Sequence, residues 1–361
     1  MEGRALAFVP LLIVPLIVLA GLYRYRSLEA QGFQCVSPLL LVNYHKTGHD
    51  ASRILARALG QILSARFDDV MSRDEPAVSC SHLVAGSPLR SCHGVQGSPD
   101  LLCRPFPKGL RVIHFVRDPV GMIISAYMYH SQEPPPEQWV HTRRVCADSR
   151  SDPVHSINPV ALRRFAQAAG VPHAELTAVA KLCHKLHPAN ASFHAALRSL
   201  SPERAIKLVA TWLVGTNADV LRMAANAASL AEMGATAPAA TSAEADVDAH
   251  SHARRGVNAF SQSVDLADLS RDAPGTLLRL VGWLRNHSSD RHLVSRLNDA
   301  SSAALVENFA RTQREAQSKV QRRHVTRDSL SEREHDALRK TLLDDNVIGP
   351  VLKRVTLRVF S

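Results

Sequence analysis

The stretch Pro38-Leu39-Leu40-Leu41-Val42-Asn43-Tyr44-His45-Lys46-Thr47-Gly48-His49-Asp50-Ala51-Ser52 decides the fold. Pro38 to Tyr44 carries no charge, as a strand buried on both faces requires. From Asp50 to Leu63, Ile54, Leu55, Ala58, Leu59 and Ile62 recur at helical spacing. Between them lies a short turn with one glycine, Gly48. The pattern is strand, tight turn, helix. A helix that starts there presents unsatisfied N–H groups and the positive end of its dipole to whatever lies beyond the strand. Gly48 allows close backbone approach, and Lys46 adds a mobile point charge. The turn therefore suits a phosphate or sulfate. It is not a Walker A loop, which needs GxxxxGK[ST], because Lys46 and Thr47 precede the glycine.

Outward from this unit, a second strand is expected near Arg66–Met71 and a third near Ala77–Val84. Arg111 to Val116, RVIHFV, is another buried strand. It leads through Arg117-Asp118-Pro119 into a helix from Val120 to His130. Strands alternating with helices predict a parallel α/β sheet. Residues 132–159, with Pro134, Pro135 and Pro136, read as a loop. Residues 160–232 are mostly helical in pattern, and 234–254 reads as a mobile insertion. Order returns from Val264 to Leu284, and charge-rich helices are expected over 300–345.

The second block matters as much as the first. Arg117 ends a strand, and Ser125 follows eight residues later on the next helix. Arg117 offers a planar fork for phosphate oxygens and Ser125 a hydroxyl donor.

These two blocks, in this order, resemble the sulfotransferase family, whose donor is 3′-phosphoadenosine-5′-phosphosulfate (PAPS). In that family a Tyr-Pro-Lys-Ser/Thr-Gly-Thr loop holds the 5′-phosphosulfate. A strand-end Arg and a Ser eight positions on hold the 3′-phosphate. Here the first pattern is YHKTGHD and the second falls on Arg117 and Ser125. Val264 to Leu284 is similar to the family's strand–Asp-Leu–helix segment. The resemblance covers residues 38–130 well and 260–285 loosely. It implies a P-loop-like parallel sheet flanked by helices, and a PAPS site formed by Lys46, Thr47, Gly48, His49, Asp50, Ala51, Arg117 and Ser125. It implies no metal.

The chain departs from the family at His49-Asp50, where relatives often have Thr-Thr or Gly-Thr. A carboxylate beside a polyanion is unfavourable, so Asp50 reads as a helix N-cap turned away from the ligand. His49 can donate to a phosphate if protonated. The soluble relatives' Arg-Lys-Gly cofactor loop is not evident. Arg254-Arg255-Gly256 and Gln321-Arg322-Arg323-His324 are candidate substitutes, against a solvated basic face.

Sulfuryl transfer demands mainly positioning and charge stabilisation. Lys46 would stabilise the bridging oxygen as the sulfuryl group leaves. The base that takes the acceptor proton is expected to be His82, by likeness to a His that precedes the Arg/Ser block in relatives. His93, Glu75, His130 and Glu133 are its rivals. His45 and His49 stand four apart, as zinc ligands can, but no third ligand follows.

Ala5 to Tyr23 is uncharged and near the lower length limit for a membrane-spanning helix. A retained signal anchor is favoured over a signal peptide cut after Ala20. Residues 1–4 would then be a tail, 5–23 the anchor, 24–37 a stem and 38–361 the α/β domain. Both readings send the domain into the secretory pathway, and a short span suits thin Golgi-type membranes. Asn190-Ala191-Ser192 and Asn286-His287-Ser288 are glycosylation sequons usable in that compartment. The six Cys can form disulfides there, Cys80 with Cys92 or Cys103 among the pairings.

The formal charge is +10 over 361 residues. Residues 1–26 hold only Arg4, Arg24, Arg26 and Glu2, so +8 belongs to the rest of the chain. Basic charge fits an anionic ligand, a membrane surface or nucleic acid. Only 5% aromatic residues argues against a stacking platform for single strands, and nucleic acid is not expected as a partner. The expected acceptor is a carbohydrate hydroxyl or amine, with a lipid or small metabolite next. A non-catalytic nucleotide- or glycan-binding protein of the same fold is the alternative. A P-loop kinase is disfavoured by the missing Walker pattern.

Overall fold

The computed structural model describes residues 39–47, 49–63, 66–69, 93–97, 111–133, 137–146, 157, 159–188, 190–236, 261–287, 291–320 and 330–360. The chain is α/β. Strands β1 (Leu39–Val42), β2 (Arg66–Asp69), β3 (His93–Gly97), β4 (Arg111–Val116) and β5 (Ser261–Asp265) form one sheet in the order β2-β3-β1-β4-β5. Every neighbouring pair is parallel, so each connection must cross over a face of the sheet.

β1 is buried from end to end, and its side chains alternate between two cores. Leu40 and Val42 face one side with Val112 and Val116 of β4. Leu39 and Leu41 face the other with Ile113 and Phe115. Helix α1 (His49–Leu63) packs on the second side through Ile54, Leu55, Ala58 and Leu59. Helix α2 (Pro119–His130) packs on the first through Val120, Met122, Ile123 and Ala126. β1 and β4 are neighbours, yet their following helices go to opposite faces. That parting is a topological switch point, and in open α/β sheets ligands bind in the crevice at the strands' C-terminal ends there. Both sequence blocks begin at that edge.

The remaining helices enclose these cores. The first is covered by α3 (Trp139–Thr142), α4 (Pro159–Ala168), α5 (His173–Leu186), α6 (Phe193–Ser199), α7 (Pro202–Thr211) and α8 (Asp219–Thr236). After β5 come α9 (Leu266–Arg271), α10 (Ala273–His287), α11 (Arg291–Arg296) and α12 (Asp299–Val320). α10 and α12 complete the second core with Leu280, Trp283, Leu305 and Phe309. Helices α13 (Glu332–Leu343) and α14 (Ile348–Phe360) return to the first.

The structure corrects the sequence reading in places. Among the described residues the strand after β2 is His93–Gly97, which was not expected; the strand expected near Ala77–Val84 lies outside the described residues. HGVQG has two glycines and one β-branched residue, so neither propensity nor period marks it as a strand. The segment expected as loop contains the one-turn helix α3. The insertion expected over 234–254 overlaps α8, which continues to Thr236; residues 237–254 lie outside the described residues. So do the anchor, the stem, Arg254-Arg255-Gly256 and Gln321-Arg322-Arg323-His324. Among the described residues no helix is long and apolar enough to cross a membrane.

Residues 137–146 form a strap, and Cys146 joins it to Cys183 of α5 by a disulfide with Cα atoms 5.6 Å apart. Cys80, Cys92 and Cys103, expected as a clamp, lie outside the described residues. The bond closes a loop of 37 residues, which restricts the unfolded chain substantially. Replacing Cys146 and Cys183 together by Ser is expected to lower stability by about 2–4 kcal/mol, read from urea unfolding of the full-length chain. An unchanged midpoint would contradict a structural clamp.

Candidate functional site

Tyr44 to Thr47 is a hydrogen-bonded turn. Thr47 N–H donates to Tyr44 O at 3.1 Å. The Thr47 hydroxyl closes the same turn, accepting from Tyr44 N–H at 2.6 Å and lying 3.0 Å from Tyr44 O. Lys46, third in the turn, has φ of 59°. Left-handed backbone at a non-glycine residue costs about 1–2 kcal/mol, and the Thr47 bonds help to hold it. Thr47 therefore shapes the turn, its N–H engaged there. Donors for an anion fall instead to the first turn of α1, whose leading N–H groups have no intrahelical acceptor. Asn43 at the end of β1 donates to Ser52 Oγ at 2.6 Å, fixing that turn against the strand.

The underside of the loop is held by α8. His45 N–H donates to Asp219 Oδ2 at 2.9 Å, and Arg222 pairs with Asp219 Oδ1 at 3.0 Å. Asp219 is buried, which pushes its carboxyl pKa up, while Arg222 and the His45 N–H oppose that. Tyr44 is fully buried, its hydroxyl 2.8 Å from His114 Nε2 and accepting from Asn226 at 2.8 Å. Burial raises the Tyr44 pKa and depresses that of His114 to about 3, so both stay neutral.

The second block approaches from β4. Asp118 caps α2, accepting from Gly121 N–H at 3.1 Å, and pairs with Arg339 at 2.6 Å. Pro119 takes the first helical position, where its missing N–H is harmless. Arg117 donates from Nη1 to Lys46 O at 2.9 Å. This joins two blocks 71 residues apart. Arg117 Nε lies 3.6 Å from where a Cβ on Gly121 would stand. Half-buried Ser125 is one helical turn further along that face. Lys46 Nζ sits 2.7 Å above the centre of the Tyr129 ring on α2, a cation–π contact. Burial lowers the Lys46 pKa to about 7; Glu137 and Asp50 raise it, and Arg117 lowers it further.

Beside Lys46 is a layer of rings. The His45 and His130 rings lie nearly parallel, at 9° with centroids 5.1 Å apart, and meet edge to edge through their Nε2 atoms at 3.0 Å. Trp212 meets both edge-on. Trp212 opens a π-helical turn, Trp212–Thr216, between α7 and α8. That turn and the left-handed Ala218, with φ of 60°, precede Asp219. Such π turns often mark functional positions. Trp139 of the strap packs on His130 and donates to Glu137 Oε2 at 2.6 Å.

The expected site residues fall as follows. Lys46, Thr47 and Arg117 come together, with Ser125 on the adjoining helix face. Ala51 lies half-buried in the first turn of α1. Gly48 lies outside the described residues, and His49 opens the helix. Asp50 is exposed as the helix's second residue rather than its N-cap, a place where the dipole favours a carboxylate. His82 and Glu75 lie outside the described residues. His93 opens β3, whereas Gly97 at its far end is the residue level with Val42. That puts the His93 backbone about 13 Å from the crevice edge. Sequence reading missed Asp219, Asn226, Tyr129, Trp212 and Glu137. Tyr129 stood inside the helix expected from Val120 to His130, but the others had no signal as site residues. Among the described residues no group of three or more metal-binding side chains forms.

No family model, no curated protein and no solved structure matches this chain.

Because Lys46 has a lowered pKa, its charge is lost as pH rises through about 7. A bound polyanion restores it, so binding takes up a proton. Affinity for the sulfate dianion, whose own charge is constant in this range, is expected to fall between about pH 7 and 9, with proton uptake seen by calorimetry in two buffers. Lys46→Arg, which stays charged, is expected to flatten that dependence. A wild-type affinity independent of pH would contradict this electrostatic role.

Proposed function

We propose that the chain is a PAPS-dependent sulfotransferase of the membrane-anchored, Golgi-type branch, acting on a hydroxyl or amine of a carbohydrate. The reading is carried by one observation: Arg117, at the end of β4, donates to the carbonyl of Lys46 across the switch point. A nucleotide carrying phosphates at both ends would lie over that junction. Its 5′-phosphosulfate would meet Lys46 and the N–H groups of residues 48–51. Its 3′-phosphate would meet Arg117 and Ser125. No metal is needed, because Lys46, Arg117 and the helix dipole supply the positive charge.

In this reading the acceptor attacks sulfur in line. The bond from sulfur to the bridging phosphate oxygen breaks, and Lys46 stabilises the charge left on that oxygen. A lumenal location is supported by the uncharged segment Ala5–Tyr23 and by the Cys146–Cys183 disulfide, a bond typical of oxidising compartments. The sequon residues Asn190 and Asn286 are both exposed.

Calorimetry on the full-length chain in detergent micelles tests the donor. 3′-Phosphoadenosine-5′-phosphate is expected to bind more tightly than ATP. Lys46→Ala and Arg117→Ala should each weaken it by about 10- to 100-fold, the loss of one charge-assisted contact. A preference for ATP, or binding unchanged by both substitutions, would refute the proposal.

A further inference from the structure

Sulfuryl transfer to a hydroxyl needs a group that takes the hydroxyl proton. Among the described rivals, Glu133 is exposed and paired with Arg198 at 3.3 Å and His194 at 3.5 Å. His130 is fully buried and cannot meet an acceptor. His45 is half-buried, is bonded in sequence to Lys46, and rests on His130.

Electrostatics fixes the order of protons along this row. His130 Nδ1 is buried without a hydrogen-bond partner among the described residues, and it faces a carboxylate oxygen, Glu137 Oε2, at 3.8 Å. A lone pair facing a carboxylate is repulsive, whereas an N–H facing it is attractive. The proton of neutral His130 therefore belongs on Nδ1, and its Nε2 accepts. The 3.0 Å contact then requires His45 to donate from Nε2. The proton-free nitrogen of His45 is Nδ1. His130 stays neutral because burial, Lys46 and His194 all depress its pKa.

We propose that His45 is the base of the transfer reaction, with His130 and Glu137 as positioning residues that fix its tautomer. The assignment rests on the sulfotransferase reading. The acceptor hydroxyl passes its proton to His45 Nδ1 as its oxygen bonds to sulfur. The electron pair of the broken bond stays on the phosphate oxygen of the departing nucleotide. The imidazolium so formed is stabilised through His130 by Glu137. Among the described residues, the titratable and charged groups around His45 include His130 of α2, Lys46 beside it, the Asp219–Arg222 pair of α8 beneath its N–H, and Glu137 of the strap. His194 reaches the row through the His130 carbonyl at 3.0 Å.

His45→Gln tests the base, since glutamine keeps an N–H for His130 but cannot take a proton. Two readouts are made on the full-length chain in micelles from about pH 5 to 9. One is binding of 3′-phosphoadenosine-5′-phosphate. The other is release of labelled sulfuryl from PAPS to desulfated heparin, desulfated chondroitin or water. The variant is expected to bind the nucleotide like wild type, lose turnover about 100-fold or more, and recover part of it with added imidazole. Glu137→Gln is expected to lower turnover and move the acidic limb of the rate profile to lower pH, because His45 then loses its proton more easily. Turnover by His45→Gln within about threefold of wild type, on the same pH profile, overturns the assignment. Nucleotide binding by wild type with no turnover to any of the three acceptors also overturns it. Failure of wild type to bind the nucleotide is a different result, which overturns the donor reading itself.

Discussion

Two adjacent strands send their helices to opposite faces of the sheet, and everything at the site depends on that parting. Because α1 leaves β1 towards one core and α2 leaves β4 towards the other, neither helix covers the strand ends between them. The crevice is a consequence of chain topology before any side chain is considered. The Arg117–Lys46 hydrogen bond spans it. The bond fixes the separation of two loops that share no local sequence, so the spacing of any anion pair held there is set by the backbone.

Around this crevice the protein arranges charge at different depths. Tyr44 and His114 are sealed beneath the loop and kept neutral by burial. Asp219 and Arg222 form a buried pair that holds the loop by its backbone. Breaking such a pair from one side is usually costlier than never having it. Lys46 lies nearer the surface, its ammonium on the Tyr129 face and its proton held less firmly than in water. A lysine in that state gains most when an anion arrives. It is positioned by packing in the unliganded protein and by charge in the liganded one.

Much of this was legible in the sequence, for reasons that are local. Residues 38–63 and 111–130 each combine a buried apolar run, a turn and a 3.6-residue period, and each gave the observed strand and helix within a few positions. β3 was not legible, since HGVQG pairs through its backbone with Val95 as its one strand-forming side chain. The π turn at Trp212 lies inside an apolar run that reads as ordinary helix. The support beneath the loop was hidden for another reason. His45 and Asp219 are 174 positions apart and meet only through the packing of α8. His130 was visible as a rival base, but its burial and its contact with His45 were not. Glu137 had no signal, because it stands in a proline-rich segment whose position depends on the Cys146–Cys183 bond.

The central claim is that one nucleotide lies across the β1/β4 crevice with a phosphate at each block. A crystal structure of the chain with 3′-phosphoadenosine-5′-phosphate tests it most directly. The account predicts the 5′-phosphate against the first turn of α1 with Lys46 Nζ swung off Tyr129 onto it. It predicts the 3′-phosphate within hydrogen-bond reach of Arg117 and Ser125. A nucleotide bound away from the strand ends, or with its 3′-phosphate in solvent and Arg117 not engaged with it, would contradict the account.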